Sequence, residues 1–278
     1  MKLSRIAAVT LVIGVTLVWA SQRAAFAAET IPWTDVNGGL IQVQGSLDGR
    51  PAVPMLVNLG AGVDVLSSNL GRQFVAVNGK YVSLRLTGER TDLPIGKVVT
   101  FAIGGVNIDA PHVGIWSGLD NSGVDGLISA TAFRNVVSTF DFRNRQIVIE
   151  DAQTFPDRVR METRVPLILQ DDLGIALALF ARFDFGNGKT GLCEIDTGSQ
   201  GITLDKTFAA AAGLNPNNVA SGQISSIQIL GAPQTRMASP AVKFADLIYD
   251  CDVGNSFWAG RTFTLDLPNR FIYVSTSS

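Results

Sequence analysis

Residues 139–149 read TFDFRNRQIVI, and residues 264–274 read TLDLPNRFIYV. Thr, Asp, Asn, Arg and Ile are identical at five of the eleven aligned positions, and apolar residues match at four others. Each copy has two apolar runs separated by a short polar segment centred on Asn-Arg. Such a pattern is typical of a β-hairpin with a tight turn. The repeat therefore predicts two equivalent hairpins about 125 residues apart, and a chain built from two related halves.

Other segments match between the halves in the same order. A turn at residues 47–50 precedes an apolar run and then Asn58-Leu59-Gly60-Ala61, and a turn at 186–189 precedes an apolar run and then Asp196-Thr197-Gly198-Ser199. Asp125-Gly126-Leu127-Ile128-Ser129 and Cys251-Asp252-Val253-Gly254 follow later in their halves. We interpret the chain as a tandem duplication, with the following parts: a leader (1–27), an N-terminal lobe (28–152), a linker (153–163) and a C-terminal lobe (164–278).

The composition limits both fold and function. Many short apolar runs flanked by Gly, Pro, Asn or Asp predict an all-β protein with few helices, the clearest at residues 67–74 and 205–213. Charged residues make up only 17% of the chain, too few for a disordered protein. The net charge of −2 argues against nucleic-acid binding, and one His with two Cys argues against a His/Cys metal cluster.

The first 27 residues have the features of a secretory signal peptide. Lys2 and Arg5 precede an uncharged run from Ile6 to Ala20, and Ala25-Phe26-Ala27 provides a small-x-small cleavage pattern. Cleavage before Ala28 would give an exported protein, periplasmic or secreted. The alternative is an uncleaved membrane anchor, for which the apolar run is short.

Asp196-Thr197-Gly198 follows an apolar strand and has a degenerate copy in the other half. Together with the hairpin repeat, this arrangement resembles the aspartic peptidase superfamily, and in particular the exported bacterial retropepsin-like proteins. The resemblance implies two tandem β-lobes of the six-stranded acid-protease type, short helices and a central cleft. In that family each lobe donates one Asp-Thr/Ser-Gly loop, and the loops meet at the floor of the cleft. It also implies a peptide or unfolded-protein substrate, and neither cofactor nor metal.

The sequence departs from the family pattern at three positions. Asn58 replaces the first catalytic Asp, Leu59 replaces the Thr or Ser that braces the loops, and Ser129 replaces a Gly. Asp196 is then the only remaining catalytic Asp. Because an amide cannot ionise or pass a proton on, we expect proteolysis to be impaired or absent. The resemblance assigns substrate contacts to the loop residues Gly60, Ala61, Thr197, Gly198 and Ser199.

Several alternatives remain open. Asp64 could replace the missing acid, although it lies beyond the loop and is expected to point away. Two chains could pair their Asp196 residues, but a linked first lobe already covers each second lobe, which favours a monomer. An active endopeptidase could use Asp196 with a non-standard partner. A non-catalytic structural or interaction module of the envelope is the last alternative.

Two further features follow from the resemblance. Cys193 and Cys251 lie on strands that should run side by side, so an oxidising compartment would allow a disulfide, with two buried free thiols as the alternative. Residues 81–98 lie where the family has its flap, a hairpin that closes over bound peptide.

Overall fold

A computed structural model describes residues 28–98, 100–108, 110, 112–186, 188–216 and 220–275. The predicted signal peptide, residues 1–27, lies outside the described residues. Strands dominate the described part of the chain, and the helices are short, which confirms the all-β class. None of the described helices has the length and apolar character needed to cross a lipid bilayer.

The described strands are, in chain order, β1 (Glu29–Pro32), β2 (Thr34–Val36), β3 (Leu40–Leu47), β4 (Val53–Val57), β5 (Asp64–Leu66), β6 (Ala76–Leu84), β7 (Arg90–Lys97), β8 (Phe101–Ile103), β9 (Val106–Asn107), β10 (Val113–Ile115), β11 (Gly126–Ile128), β12 (Val137–Asp141), β13 (Gln146–Glu150), β14 (Thr163–Pro166), β15 (Ile168–Asp172), β16 (Ala176–Asp184), β17 (Thr190–Ile195), β18 (Ile202–Asp205), β19 (Ser221–Gln223), β20 (Ser226–Ile229), β21 (Ala232–Ala238), β22 (Ala241–Ala245), β23 (Cys251–Val253), β24 (Thr262–Asp266) and β25 (Phe271–Val274). The α-helices are α1 (Ser68–Phe74), α2 (Thr154–Val159), α3 (Lys206–Ala211) and α4 (Asn255–Trp258), and 3-10 turns span Leu59–Ala61, Ser117–Leu119 and Ala130–Phe133.

Each half of the chain builds its own sheet. The N-terminal sheet has the order β6-β7-β10-β5-β11-β4-β3-β8-β9, with β2 paired to β3. The C-terminal sheet has the order β19-β22-β18-β23-β17-β16-β20-β21, with β15 paired to β16. In both sheets the strand that leads into the Asn58 or Asp196 loop lies in the interior, paired in parallel with β11 or β23 respectively.

A third sheet of six strands, in the order β1-β13-β12-β24-β25-β14, is shared by the two halves. The predicted hairpins are confirmed as β12–β13 and β24–β25, and they pair with each other through β12 and β24. Thr139 and Thr264 are opposite each other at this junction, with their hydroxyls 2.9 Å apart. The Phe140 and Phe263 rings stack with centroids 4.9 Å apart, so the junction has a continuous buried core.

Side-chain caps fix the two helices that the sequence predicts. Asp205 accepts a hydrogen bond from the Phe208 N–H at the start of α3, and Ser67 accepts one from the Leu70 N–H at the start of α1. Both helices directly follow a strand of the loop-bearing sheet, so each one is held close to its loop.

Each half also contacts the other outside the shared sheet. The Asn255 Nδ2 atom donates to the Gly39 carbonyl at 2.9 Å, and the Leu177 N–H donates to the Gly62 carbonyl at 2.8 Å. Arg134 forms an ion pair with Asp171 across the same boundary. These contacts fix the two loop-bearing sheets relative to each other.

Candidate active site

The Asn58 and Asp196 loops have the same backbone arrangement. β4 ends at Val57 and β17 ends at Ile195, so each polar residue comes directly after a buried strand. The Asn58 N–H donates to the Ile128 carbonyl at 2.8 Å, and the Asp196 N–H donates to the Val253 carbonyl at 3.1 Å. Both loops are therefore held at the carboxyl end of a strand by the neighbouring parallel strand.

The two loops touch through their glycines. A Cβ atom on Gly60 would lie 2.6 Å from the Asp196 Cγ, and a Cβ on Gly198 would overlap the Asn58 side chain. Each polar side chain therefore lies against the glycine of the opposite loop. Glycine is required at both positions because any larger residue would separate the loops.

The hydroxyl of Thr197 links the two loops. The Thr197 Oγ1 accepts a hydrogen bond from the Leu59 N–H at 3.0 Å and donates one to the Val57 carbonyl at 2.8 Å. Thr197 and Leu59 are both fully buried. Leu59 has no hydroxyl with which to return these bonds, so the brace is made from one side only.

Asp196 is a buried carboxyl held by backbone donors. Gly198 donates its N–H to the Asp196 Oδ1 at 2.7 Å, and the Gly60 N–H lies close to this carboxyl. Burial raises the pKa of Asp196, although these hydrogen bonds oppose the shift. The Asn58 Oδ1 meets no donor in the described part of the chain, and the amide can offer only its Nδ2 hydrogens to a ligand.

Sequence reasoning missed a second carboxyl beside Asp196. Asp252 is 1% exposed, and its carboxyl lies close to the side chains of Asp196 and Ser199. Burial, and then the charge of Asp196, raise the pKa of Asp252 to about 9. The signal that could have found it was present in the repeat, because Asp252 aligns with the apolar Leu127 of the first half.

Glu194 completes a buried acidic cluster with these two residues. It lies opposite Asp252 in the parallel register of β17 and β23, and burial raises its pKa to about 8. The Tyr249 hydroxyl donates to the Glu194 Oε2, and burial raises the pKa of Tyr249. No three His, Cys, Asp or Glu side chains among the described residues are arranged to hold a metal ion.

Asp64 is engaged elsewhere. Its Oδ1 accepts from the Ser129 N–H at 2.7 Å, and its Oδ2 accepts from the Thr131 Oγ1 at 2.9 Å. The Ser129 hydroxyl is 2.6 Å from the Thr131 hydroxyl. Asp64 and the serine that departs from the family pattern thus belong to one buried network that holds the 3-10 turn after β11.

The other predicted loop residues lie at the junction of the two loops. Ala61 closes its turn by donating its N–H to the Asn58 carbonyl at 3.1 Å, and Ser199 does the same to the Asp196 carbonyl at 3.4 Å. Gly60, Ala61, Gly198 and Ser199 are half-buried, whereas Thr197 is fully buried. The buried Thr197 hydroxyl therefore serves the fold, which leaves the four half-buried residues as the predicted substrate contacts.

A disulfide joins Cys193 and Cys251, whose Cα atoms are 4.5 Å apart. The two residues are directly opposite each other in β17 and β23, one position before Glu194 and Asp252. Both sulfurs are buried in the core. The disulfide therefore clamps the two strands that carry the acidic cluster.

β6 and β7 form a long hairpin that starts at Ala76, five residues before the predicted flap segment. Its tip reaches the C-terminal half, where the Ile248 N–H donates to the Leu86 carbonyl at 3.1 Å. Burial, and then the interaction of its hydroxyl with Asp172 in the second half, raises the pKa of Tyr81 to about 12. The hairpin thus contacts the second half at two points.

Side chains below this hairpin form a separate apolar cluster. Its buried members include Leu93 and Ile95 of β7, with Leu56 and Leu127 packed against them. Leu56 and Leu127 occupy the positions that Glu194 and Asp252 occupy in the second half. One half therefore has two leucines on this face of the sheet, and the other half has two acids.

No protein-family model and no curated protein sequence matches the chain. Solved structures do match over nearly the whole length. Basic 7S globulin from soybean superposes with a TM-score of 0.56 at 13% identity, covering 90% of this chain and 95% of that one. An aspartic proteinase from Irpex lacteus superposes with a TM-score of 0.57 at 14% identity, covering 91% and 98%. The chain therefore has the bilobal fold of the aspartic proteinases.

Proposed function

We propose that this protein is an exported, aspartic-peptidase-like protein that binds extended peptide between its lobes, with impaired or absent proteolysis. The observation that supports this proposal is that the Asn58 and Asp196 side chains each lie against the glycine of the opposite loop. The fold alone carries no activity, since a globulin and a proteinase share it.

With Asn58 in place of one of the two carboxyls, peptide hydrolysis is expected to be slow. Two neighbouring carboxyls that share one proton supply both a base for water and an acid for the carbonyl oxygen. Asn58 can donate a hydrogen bond to that oxygen, but it has no proton to transfer. General acid–base catalysis contributes roughly 10²–10⁴-fold, so the loss of one acid reduces the rate by about that factor.

Peptide binding is supported by the hairpin formed by β6 and β7. A peptide in extended conformation can add to a strand edge through its backbone groups. Leu93 and Ile95 of this hairpin belong to an apolar cluster against which Leu56 and Leu127 pack. A bound peptide would therefore meet both backbone donors and an apolar surface.

The test combines binding with proteolysis. A statine-type inhibitor, whose hydroxyl takes the place of the attacking water, should bind the natural chain in calorimetry and bind Asp196→Asn at least tenfold more weakly. Digestion of a mixed unfolded-protein substrate from pH 3 to 7 should be slow or undetectable, and Asn58→Asp should increase it. Asp157→Asn, an exposed change in α2, is the control.

Absence of inhibitor binding in both the natural chain and Asn58→Asp would refute peptide binding. It would favour the remaining alternative, a structural or interaction module that keeps only the fold.

A further inference from the structure

We propose that Asp252 is the proton-sharing partner of Asp196, replacing within one lobe the carboxyl that Asn58 lacks in the other. This inference rests on the proposed function and sharpens it, because the pair would support a slow hydrolysis. Asp252 acts through Asp196 and is therefore a positioning residue.

The placement of Asp252 follows from the strand register. Glu194 is opposite Asp252 in the parallel pair of β17 and β23, so the two side chains share one face of the sheet. Asp196 follows Glu194 by two residues, and its N–H is bonded to the Val253 carbonyl. The register thus brings the Asp252 carboxyl beside Asp196, close enough for the two carboxyls to interact.

A shared proton satisfies atoms that otherwise lack partners. The Asp252 Oδ1 meets no donor in the described part of the chain, and the carboxyl is almost completely buried. Two carboxyls at hydrogen-bonding distance in a buried site cannot both ionise, so one proton remains on the pair. That proton gives the buried Asp252 Oδ1 a hydrogen bond that no other described group provides.

The surroundings favour this protonation. The ionisable groups that face Asp252 are Glu194, Asp196 and Tyr249, all of which are neutral or negative. No Lys or Arg is among the groups that shift the pKa values of these three carboxyls. Without a cation nearby, the pair keeps its proton at neutral pH.

A purely structural role would favour an apolar residue at this position. The matching residues of the first half, Leu56 and Leu127, fill the same face with leucine side chains. Burying a carboxyl costs free energy that a leucine does not cost. The presence of two acids in only one half therefore indicates a chemical use for them.

In the proposed hydrolysis, every proton and electron pair is accounted for by Asp196, Asp252, water and the peptide. The ionised oxygen of Asp196 takes a proton from water as the water oxygen bonds to the peptide carbonyl carbon, and the shared proton moves toward Asp252. The carbonyl oxygen gains the electron pair and accepts a hydrogen bond from the Asn58 Nδ2. When the C–N bond breaks, its electrons go to nitrogen, which takes the proton from Asp196. The shared proton then returns, and the products are an acid and an amine.

The first experiment uses Asp252→Asn in the natural chain and in Asn58→Asp. Asparagine keeps a donor toward Asp196 but cannot share a proton. We expect Asp252→Asn to reduce the hydrolysis of unfolded protein at least 100-fold and to abolish its pH profile, while the affinity for the statine-type inhibitor changes less than threefold. In the Asn58→Asp background the same change should cost less than tenfold, because the opposite loop then supplies the acid. Asp246→Asn, an exposed change in the same lobe, is the control.

Three results would overturn the inference: an unchanged rate and pH profile in Asp252→Asn, an equal loss in both backgrounds, or no hydrolysis by a natural chain that still binds the inhibitor. The last result would leave peptide binding intact, whereas absence of inhibitor binding in both the natural chain and Asn58→Asp would refute the proposed function.

A second measurement does not depend on activity or on the folding of a variant. Carboxyl ¹³C resonances of the natural chain should show one proton retained on the Asp196–Asp252 pair at pH 7. Both carboxyls ionised at that pH would overturn the inference.

Discussion

The change Thr197→Val tests the one-sided brace between the loops. Valine has almost the same shape as threonine, so the packing is preserved, but the Leu59 N–H and the Val57 carbonyl both lose their partner. Both groups are buried, and the bonds they lose measure 3.0 and 2.8 Å. A buried polar group left without a partner costs about 1–3 kcal/mol. With two such groups, the free energy of unfolding should fall by about 2–6 kcal/mol.

Urea unfolding at pH 6, followed by tryptophan fluorescence, measures this loss through the transition midpoint and slope. Thr197→Ser keeps the hydroxyl and should retain most of the stability that valine loses. Thr34→Val, on an exposed position of β2, controls for the intrinsic effect of the substitution. A loss below about 0.5 kcal/mol for Thr197→Val, or an equal loss for the serine variant, would refute the reasoning.

Three further predictions follow from buried groups and from the hairpin. Burial raises the pKa of Asp64 from 3.8 to about 6, so its contribution to stability is complete below pH 4 and falls by about 3 kcal/mol as the pH rises through 6. In urea unfolding, the stability difference between the natural chain and Asp64→Asn should change by that amount between pH 4 and 7. A constant difference would contradict this prediction. Reducing the Cys193–Cys251 disulfide, which spans 58 residues, should lower the free energy of unfolding by about 4 kcal/mol. Thiol titration of the denatured, unreduced protein should find no free thiol. Two free thiols would show that the bond is absent. Tyr81→Phe removes the hydroxyl that interacts with Asp172, so amide exchange at residues 84–90 should accelerate while global stability stays the same. Unchanged exchange would show that this interaction does not hold the hairpin tip.

Short stretches of sequence were sufficient to predict the hairpins and the capped helices. The Asn-Arg hairpins are predictable because alternating apolar residues and a tight turn specify them without reference to the rest of the chain. The Asp205 cap of α3 is another such case. Comparing the two halves also located the Asn58 and Asp196 loops, since each follows an apolar run at the same place in the repeat.

Contacts between distant strands could not be read from the sequence. The pairing of β12 with β24 joins residues about 125 positions apart, and no local pattern specifies it. Asp252 was missed because the matching residue of the first half is the apolar Leu127, which carries no titratable group. Only the parallel register of β17 and β23 shows that its side chain lies on the same face as Glu194, beside Asp196.

The shared six-stranded sheet has a consequence for how the chain reaches its folded state. Its central pair, β12 and β24, can form only after residues 262–266 are available, when most of the N-terminal half has already been made. Until then the backbone groups on one edge of β12 are unpaired and can pair with another strand, including one from a second chain. Because such distant pairings close large loops, folding should be slow, and partly folded chains should be prone to aggregation. A chain shortened before residue 262 would leave that edge permanently open.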